Sequence, residues 1–364
     1  MSGTAVLPPQ ADWLEAFFVS IARADHRTAS TLNHEEEKIM MKKLLAIVLS
    51  LVMLTAASAA LAENKTVGIL QFAEHGSLDN CREGFLQGLA EAGYVEGENL
   101  TIKYYNAQAD GGTDAQIAQS LVAYPVDLIC AIATPSAQAA FNAVLSAKAD
   151  IPVIYTAVSA PIEAGLANDD GTPVGLVTGT SDLLPIRNQL AMIRELMPDA
   201  KTVGLLYTSS ETNSEVQAAL YEEMAGEFGF EIVSATVTAG AEVSQAVQAL
   251  LPQVDCLSML TDNTVVSYLA VVLNAAEQAG KPVFGSEIEQ VALGCAGAEG
   301  LDYVALGKQT GEMAARVLNG ESAESISFET IRDSALYLNT DVLSSLGLEI
   351  PAAMAERGYT DMAE

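Results

Sequence analysis

The chain has 364 residues, half of them hydrophobic, and its 47 acidic side chains against 17 basic ones give a net charge of −30. That length exceeds one ordinary domain and suits two, each with a core of its own. A surface this anionic repels nucleic acid and anionic membrane, so partners held through phosphate contacts are excluded.

Residues 1–39 show neither periodicity nor repeats. Beyond them Lys42-Lys43 is followed by the apolar run Leu44 to Leu54 and by small residues ending Ala60-Leu61-Ala62. This is the grammar of a signal peptide, here 40–62, with cleavage after Ala62. The apolar part is 11 residues long, short of the ~20 that span a bilayer. An export signal tolerates no long extension ahead of it, so Met40 or Met41 is the expected start and 1–39 a non-native upstream extension. Glu63, not cysteine, follows the cut, so the expected product is periplasmic or secreted and not a lipoprotein.

From Thr66 onward short apolar runs alternate with amphipathic stretches, the pattern of parallel sheets built from βαβ units. Strands are predicted at 67–72, 100–105, 126–132, 151–156 and 174–179, separated by helices at 79–92, 113–123 and 136–147. The grammar restarts after Asp182. Helices are predicted at 185–196, 213–228, 242–251 and 264–279, with strands at 203–208, 231–237, 254–260 and 282–287 between them. Two doubly wound α/β lobes in tandem imply a cleft, and in such sheets ligands lie beyond the carboxyl ends of the strands.

Enzymatic constellations are missing. Past the leader the only histidine is His75, which rules out a histidine metal cluster, and no G-x-S-x-G, Walker loop, C-x-x-C or G-x-G-x-x-G is present. The reading is a non-enzyme with no cofactor and no metal. Cys81, Cys130, Cys256 and Cys295 sit in or beside apolar runs and read as buried thiols rather than a disulfide framework.

The strand-end loops carry the candidate site. After 126–132 come Thr134-Pro135-Ser136-Ala137, where Thr134 or Ser136 can cap the next helix and its free N–H groups suit a carboxylate. Asp262-Asn263 follows the run 254–260, and Asp262 serves equally as an ammonium partner or as a plain helix cap. The first strand delivers Phe72, Glu74 and His75, and Ser286-Glu287 ends the strand at 282–287.

At these loops the chain resembles the ABC-transporter substrate-binding proteins related to the tryptophan- and tyrosine-binding receptors. The matching segments are QFAEHGSLDNCREGFLQGLAEAGY (71–94), ATPSAQA (133–139), IPVIYTAVSAPIEAGL (151–166), TGTSDLLPIRNQL (178–190), LTDNTVVS (260–267), PVFGSE (282–287) and GLDYVALGKQTGEMAARVLNGE (300–321). The resemblance implies the type I periplasmic binding fold, with a hinge near Gly179 to Asp182, a second crossing near Ala298 to Asp302 and a last one after Gly320. The lobes would be 63–181 plus 300–320 and 182–299 plus 321–351, with a tail at 352–364.

The resemblance also implies an amino-acid ligand, aromatic in type, clasped by hinge closure and handed to a permease and ATPase by a monomeric receptor. Its carboxylate is expected at the helix start Thr134 to Ala137 and its ammonium near Asp262 or Glu287. Ser181, Asn263 and Ser286 would complete the hydrogen bonds, and Phe72, Tyr155 and Tyr207 are candidates for the ring pocket. The alternatives are another small solute, such as an aliphatic amino acid, a purine or a sugar, and a sensor that signals through a membrane partner.

Overall fold

The computed structural model describes residues 39–43, 64–331 and 334–363. Residues 39–43 are helical, and the remainder of the expected extension and leader lies outside the described residues. In chain order the strands are β1 (Lys65–Gln71), β2 (Leu100–Asn106), β3 (Leu128–Ile132), β4 (Val153–Thr156), β5 (Val177–Ser181), β6 (Thr202–Thr208) and β7 (Glu231–Val237). They continue with β8 (Cys256–Ser258), β9 (Val283–Phe284), β10 (Gly297–Leu301), β11 (Glu329–Thr330), β12 (Ser334–Leu338) and β13 (Thr360–Asp361).

The first lobe is a six-stranded sheet in the order β11-β5-β4-β3-β1-β2, parallel throughout. Helices cover both of its faces, which is why its central strands read as continuous apolar runs rather than alternating ones: all of β3 and β4 is buried. The second lobe has the parallel sheet β7-β6-β8-β9. Its order continues into β10-β12-β13 through Gly285 N–H to Gly297 O (2.9 Å) and Ala296 N–H to Val283 O (2.7 Å).

Three crossings join the lobes. β5 ends at Ser181 and the next helix, Ile186–Leu196, packs in the second lobe; β10 ends at Leu301 and the helix Tyr303–Leu318 returns to the first. That helix is capped by Asp302, whose carboxylate accepts from Ala305 N–H at 3.0 Å. It lies directly on the helix Gly76–Glu91 because glycines stand at the contact. A Cβ on Gly307 would come within 2.0 Å of Cys81 O, and one on Gly84 within 2.0 Å of Val304 O.

The third crossing corrects an expectation. The first lobe keeps the chain past Gly320, because β11 pairs with β5 and Ile331 N–H donates to Ser181 O at 3.1 Å; the crossing falls between Ile331 and Ser334. The expected tail is also built in, since β13 pairs with β12 (Tyr337 with Thr360). The strands β10 and β12 run antiparallel and were not anticipated; Gly297 and Gly300 interrupt the apolar pattern of β10. The helix predicted over 264–279 is two, Asn263–Ser267 and Leu269–Ala279, broken at Tyr268. All four cysteines are buried and free.

Candidate functional site

The carboxyl ends of the two sheets face each other, and two spaces lie between them. The outer one is a cleft of ≈ 550 Å³. The first lobe lines it with Phe72, Glu74, Asp110 and Pro135, and the second with Glu211, Gly240, Thr264 and Tyr268. The inner one is a narrow gap of ≈ 10 Å³ lined by His75, Ser77, Asp182, Thr261, Asn263, Glu287 and Tyr303, among others. They are continuous along the chain, since Glu74 and Thr264 of the outer space neighbour His75 and Asn263 of the inner one.

Charge in both spaces has one sign. Asp182 and Glu287 are 1 % exposed, and among the described residues no lysine or arginine lines either space. The Asp182 carboxylate accepts from Ser159 Oγ at 2.9 Å and Tyr303 OH at 2.6 Å, and burial raises its pKa against these donors. Glu287 caps the short helix Ile288–Ala292, accepting from Glu289 N–H at 2.9 Å; burial first, and then the Glu289 carboxyl, holds its pKa well above the usual range. His75 is the counterpart: burial lowers its pKa to about 4, against the Asn263 side chain and the carboxylates of Asp79 and Glu289. It is therefore a neutral imidazole, and both ring nitrogens are buried without a partner in the structure.

The lobes are tied at this level. Ser159, in the loop after β4, meets Thr261 Oγ1 of the second lobe at 2.9 Å and accepts from Gln217 Nε2 at 2.9 Å. The Asn80 side chain donates to Glu289 Oε1 across the same boundary. Ala157, beside this contact, holds φ at 55° and Ala133 holds 84°, left-handed values that cost a non-glycine residue about 1–3 kcal/mol each. Both stand at first-lobe strand ends, where the chain turns toward the cleft.

The predicted residues divide. His75, Asn263, Ser286 and Glu287 come together around the inner gap, and Phe72 and Glu74 line the outer cleft. Asp262 does not face either space. It is 0 % exposed and its carboxylate accepts from Thr208 N–H (2.6 Å), Thr208 Oγ1 (2.9 Å), Ser214 Oγ (2.8 Å) and Val265 N–H (2.6 Å), all in its own lobe. Of the two roles the sequence allowed it, cap and ammonium partner, the geometry gives the first.

Neither Thr134 nor Ser136 caps its helix. The N-cap position is Ala133, the Thr134 hydroxyl is buried without a partner, and Ser136 Oγ donates to the buried Asp114 at 2.7 Å. Ala137 packs in the first-lobe core with Leu70, Leu121 and Tyr155, so that ring is core rather than ligand pocket. Tyr207 packs on the second-lobe core, and Ser181 Oγ donates to Ser159 O at 3.2 Å inside the first lobe. Pro135 alone of that helix start reaches the outer cleft.

Sequence reading missed Asp182, Tyr303, Glu211 and Tyr268. The first two stand at inter-lobe crossings and so carried a signal. Glu211 carried none: its carboxylate accepts from Asn263 N–H and Nδ2 (3.0 and 2.7 Å) and from Thr264 N–H and Oγ1 (3.0 and 2.8 Å), partners over 50 positions away. Burial, and then the Asp262 charge, raises its pKa to about 7.

Known proteins resemble this chain in sequence and fold. A tyrosine-binding protein of Clostridioides difficile is 39% identical over 287 residues, 79% of this chain and 82% of its own. An ABC domain from Streptococcus pneumoniae in complex with L-Trp superposes with a TM-score of 0.79 at 32% identity, over 82% of this chain and all of that one. A ligand-free, open substrate-binding protein from Clostridium difficile gives only 0.62 at 39% identity, over 82% of this chain and 99% of that one. The chain thus superposes better on the L-Trp complex than on the ligand-free, open protein, although it is less identical to it. The sequence profile of the ABC transporter substrate binding proteins matches residues 66–359, and the chain belongs to that family.

Proposed function

We propose that this protein is the extracytoplasmic receptor of an ABC importer and closes its lobes on an aromatic amino acid. The observation that carries this reading is the inter-lobe gap where Asp182 and Glu287 converge with a neutral His75 and, among the described residues, no basic side chain. Buried carboxylates without a cation cost several kcal/mol, so a ligand ammonium is the complement this wall favours. The ligand's carboxylate would take the His75 N–H and N–H groups near the start of the helix Thr134–Ala147. Its ring would enter the outer cleft between Phe72 and Tyr268, a mixed polar and apolar space typical of small-molecule sites. The tyrosine- and tryptophan-binding relatives support the aromatic choice. Export through the 40–62 leader, monomeric action, and delivery to a permease and ATPase complete the reading.

Thermal-shift screening of residues 63–364 against all amino acids tests it. A ligand at 100 times its dissociation constant stabilises by about 2.7 kcal/mol, worth about 4 °C in a chain of this size. Trp13 is the sole tryptophan and precedes the leader, so added tryptophan would be the only indole present and its emission should shift to the blue on binding. No shift from tryptophan, tyrosine or phenylalanine, alongside a clear shift from another solute, would overturn the aromatic assignment.

A further inference from the structure

The outer cleft has one aromatic side chain on each wall. Phe72 stands on the first-lobe side and Tyr268 on the second, where the other lining residues are serine, threonine, alanine, glycine and the hydrogen-bonded Glu211. Tyr268 reaches that wall at a break in a helix whose residues, 263–279, include neither glycine nor proline. The cause is local: Ser267 Oγ donates to Asn263 O at 2.8 Å, a back-bond of the kind that bends helices, and Tyr268 leaves helical geometry at φ −109°, ψ 19°. Its backbone is pinned on both sides, with its N–H donating to Val265 O at 2.9 Å and its carbonyl accepting from Val271 N–H at 2.9 Å. The side chain itself is 40 % exposed, so the second-lobe core does not claim it.

A glycine decides where that ring lies. Gly240 follows β7, and a Cβ built on it would stand 2.0 Å from Tyr268 Cε2, 2.5 Å from Cζ and 2.8 Å from the hydroxyl oxygen. The phenol end of the ring thus rests on bare backbone, in space that any other residue would fill. Gly240 does not hold a positive φ, so its conformation is open to any residue and only the ring contact requires glycine. We propose that Tyr268, seated on Gly240, selects the ligand's ring: it is the aromatic face that the second lobe brings against a side chain lying on Phe72. A flat ring gains offset or edge contacts from both walls, whereas an aliphatic chain gains area alone, and selectivity is that difference. Gly240 acts through Tyr268, as a positioning residue. The inference rests on the aromatic amino-acid reading above and adds to it which residue makes the choice and what holds that residue in place.

Titration calorimetry of the wild type with tryptophan, tyrosine and phenylalanine sets the reference. Tyr268→Ala and Tyr268→Leu should each weaken the best-bound of the three about tenfold, while Tyr268→Phe, which keeps the ring, should stay within about threefold. Gly240→Ala should also weaken it about tenfold, but less than about twofold when Tyr268 is already alanine, because no ring is left to displace. A merely structural effect of the added methyl on the turn would carry through both backgrounds. If Gly240→Ala does not fold, the leucine and phenylalanine variants of Tyr268 decide alone. Wild-type affinity in Tyr268→Leu, or a Gly240→Ala loss unchanged by Tyr268→Ala, would overturn the inference while leaving the receptor reading in place. A wild-type protein that binds an aliphatic amino acid or another solute and no aromatic one would defeat the aromatic reading itself, and the ring platform with it.

Discussion

Replacing Asp262 by alanine should unfold this protein more readily rather than merely empty its site. The carboxylate ties three elements of the second lobe: the end of β6 through Thr208, the helix Thr212–Ala225 through Ser214, and the start of the helix Asn263–Ser267 through Val265. Alanine strands two buried backbone N–H groups, those of Thr208 and Val265, and each costs about 1–3 kcal/mol when left unpaired. The Thr208 and Ser214 hydroxyls can turn elsewhere and add less. Against this, deletion removes a buried charge that repels Glu211. The net expectation is a loss of about 2–4 kcal/mol, a fall of about 3–6 °C in melting temperature. Asparagine should do nearly as badly, because an amide oriented to cap Val265 with its oxygen presents N–H groups to the Thr208 donors. Thermal unfolding followed by far-ultraviolet dichroism measures it, and urea unfolding should show a lower midpoint at unchanged slope. A variant melting within about 2 °C of the wild type, yet unable to bind any amino acid, would refute the reasoning and return Asp262 to the ligand.

Gly307→Ala should cost about 3 kcal/mol or more, since its Cβ would lie 2.0 Å from Cys81 O and the two helices must part; unchanged stability by urea titration would contradict that contact. Ser159→Ala removes the hydroxyl that meets Thr261, Gln217 and Asp182 at once, and should weaken ligand binding about tenfold through faster dissociation; stopped-flow rates that match the wild type would count against a closing role. Glu211 and Asp114, raised by burial to about 7 and about 6, hold protons in the folded state that unfolded carboxyls release near pH 4. Stability from these groups is full below that pH and is lost as pH rises through 6 to 7, whereas His75, lowered to about 4, works in the opposite sense as pH falls below 6.5. With the carboxyls in the majority, the melting temperature should be higher at pH 5.5 than at pH 8, and Glu211→Gln should flatten the fall between about pH 4.5 and 7. A profile unaffected by Glu211→Gln would show that the carboxyl titrates elsewhere.

The alternation of apolar runs with amphipathic stretches was enough to determine two parallel α/β lobes. Runs such as LICAI in β3 are apolar at every position because both faces of a parallel sheet are covered, and that is a local property of the residues. Parallel topology then pointed to the strand ends, so Phe72, Glu74, His75, Asn263, Ser286 and Glu287 were legible as cleft residues from their positions alone. The direction in which a strand-end carboxylate points was not legible. Asp262 and Glu287 occupy equivalent places in sequence, yet the first turns inward to the donors on Thr208 and Ser214 and the second toward the opposite lobe. Side-chain direction at a loop is set by donors that the fold brings from 50 positions away, and no local pattern encodes them. The same holds for the third crossing after Ile331, fixed by the pairing of β11 with β5, and for Glu211 and Glu289. Their roles arise only in the folded chain, because a buried carboxyl is satisfied or left charged by what the surfaces packed against it offer.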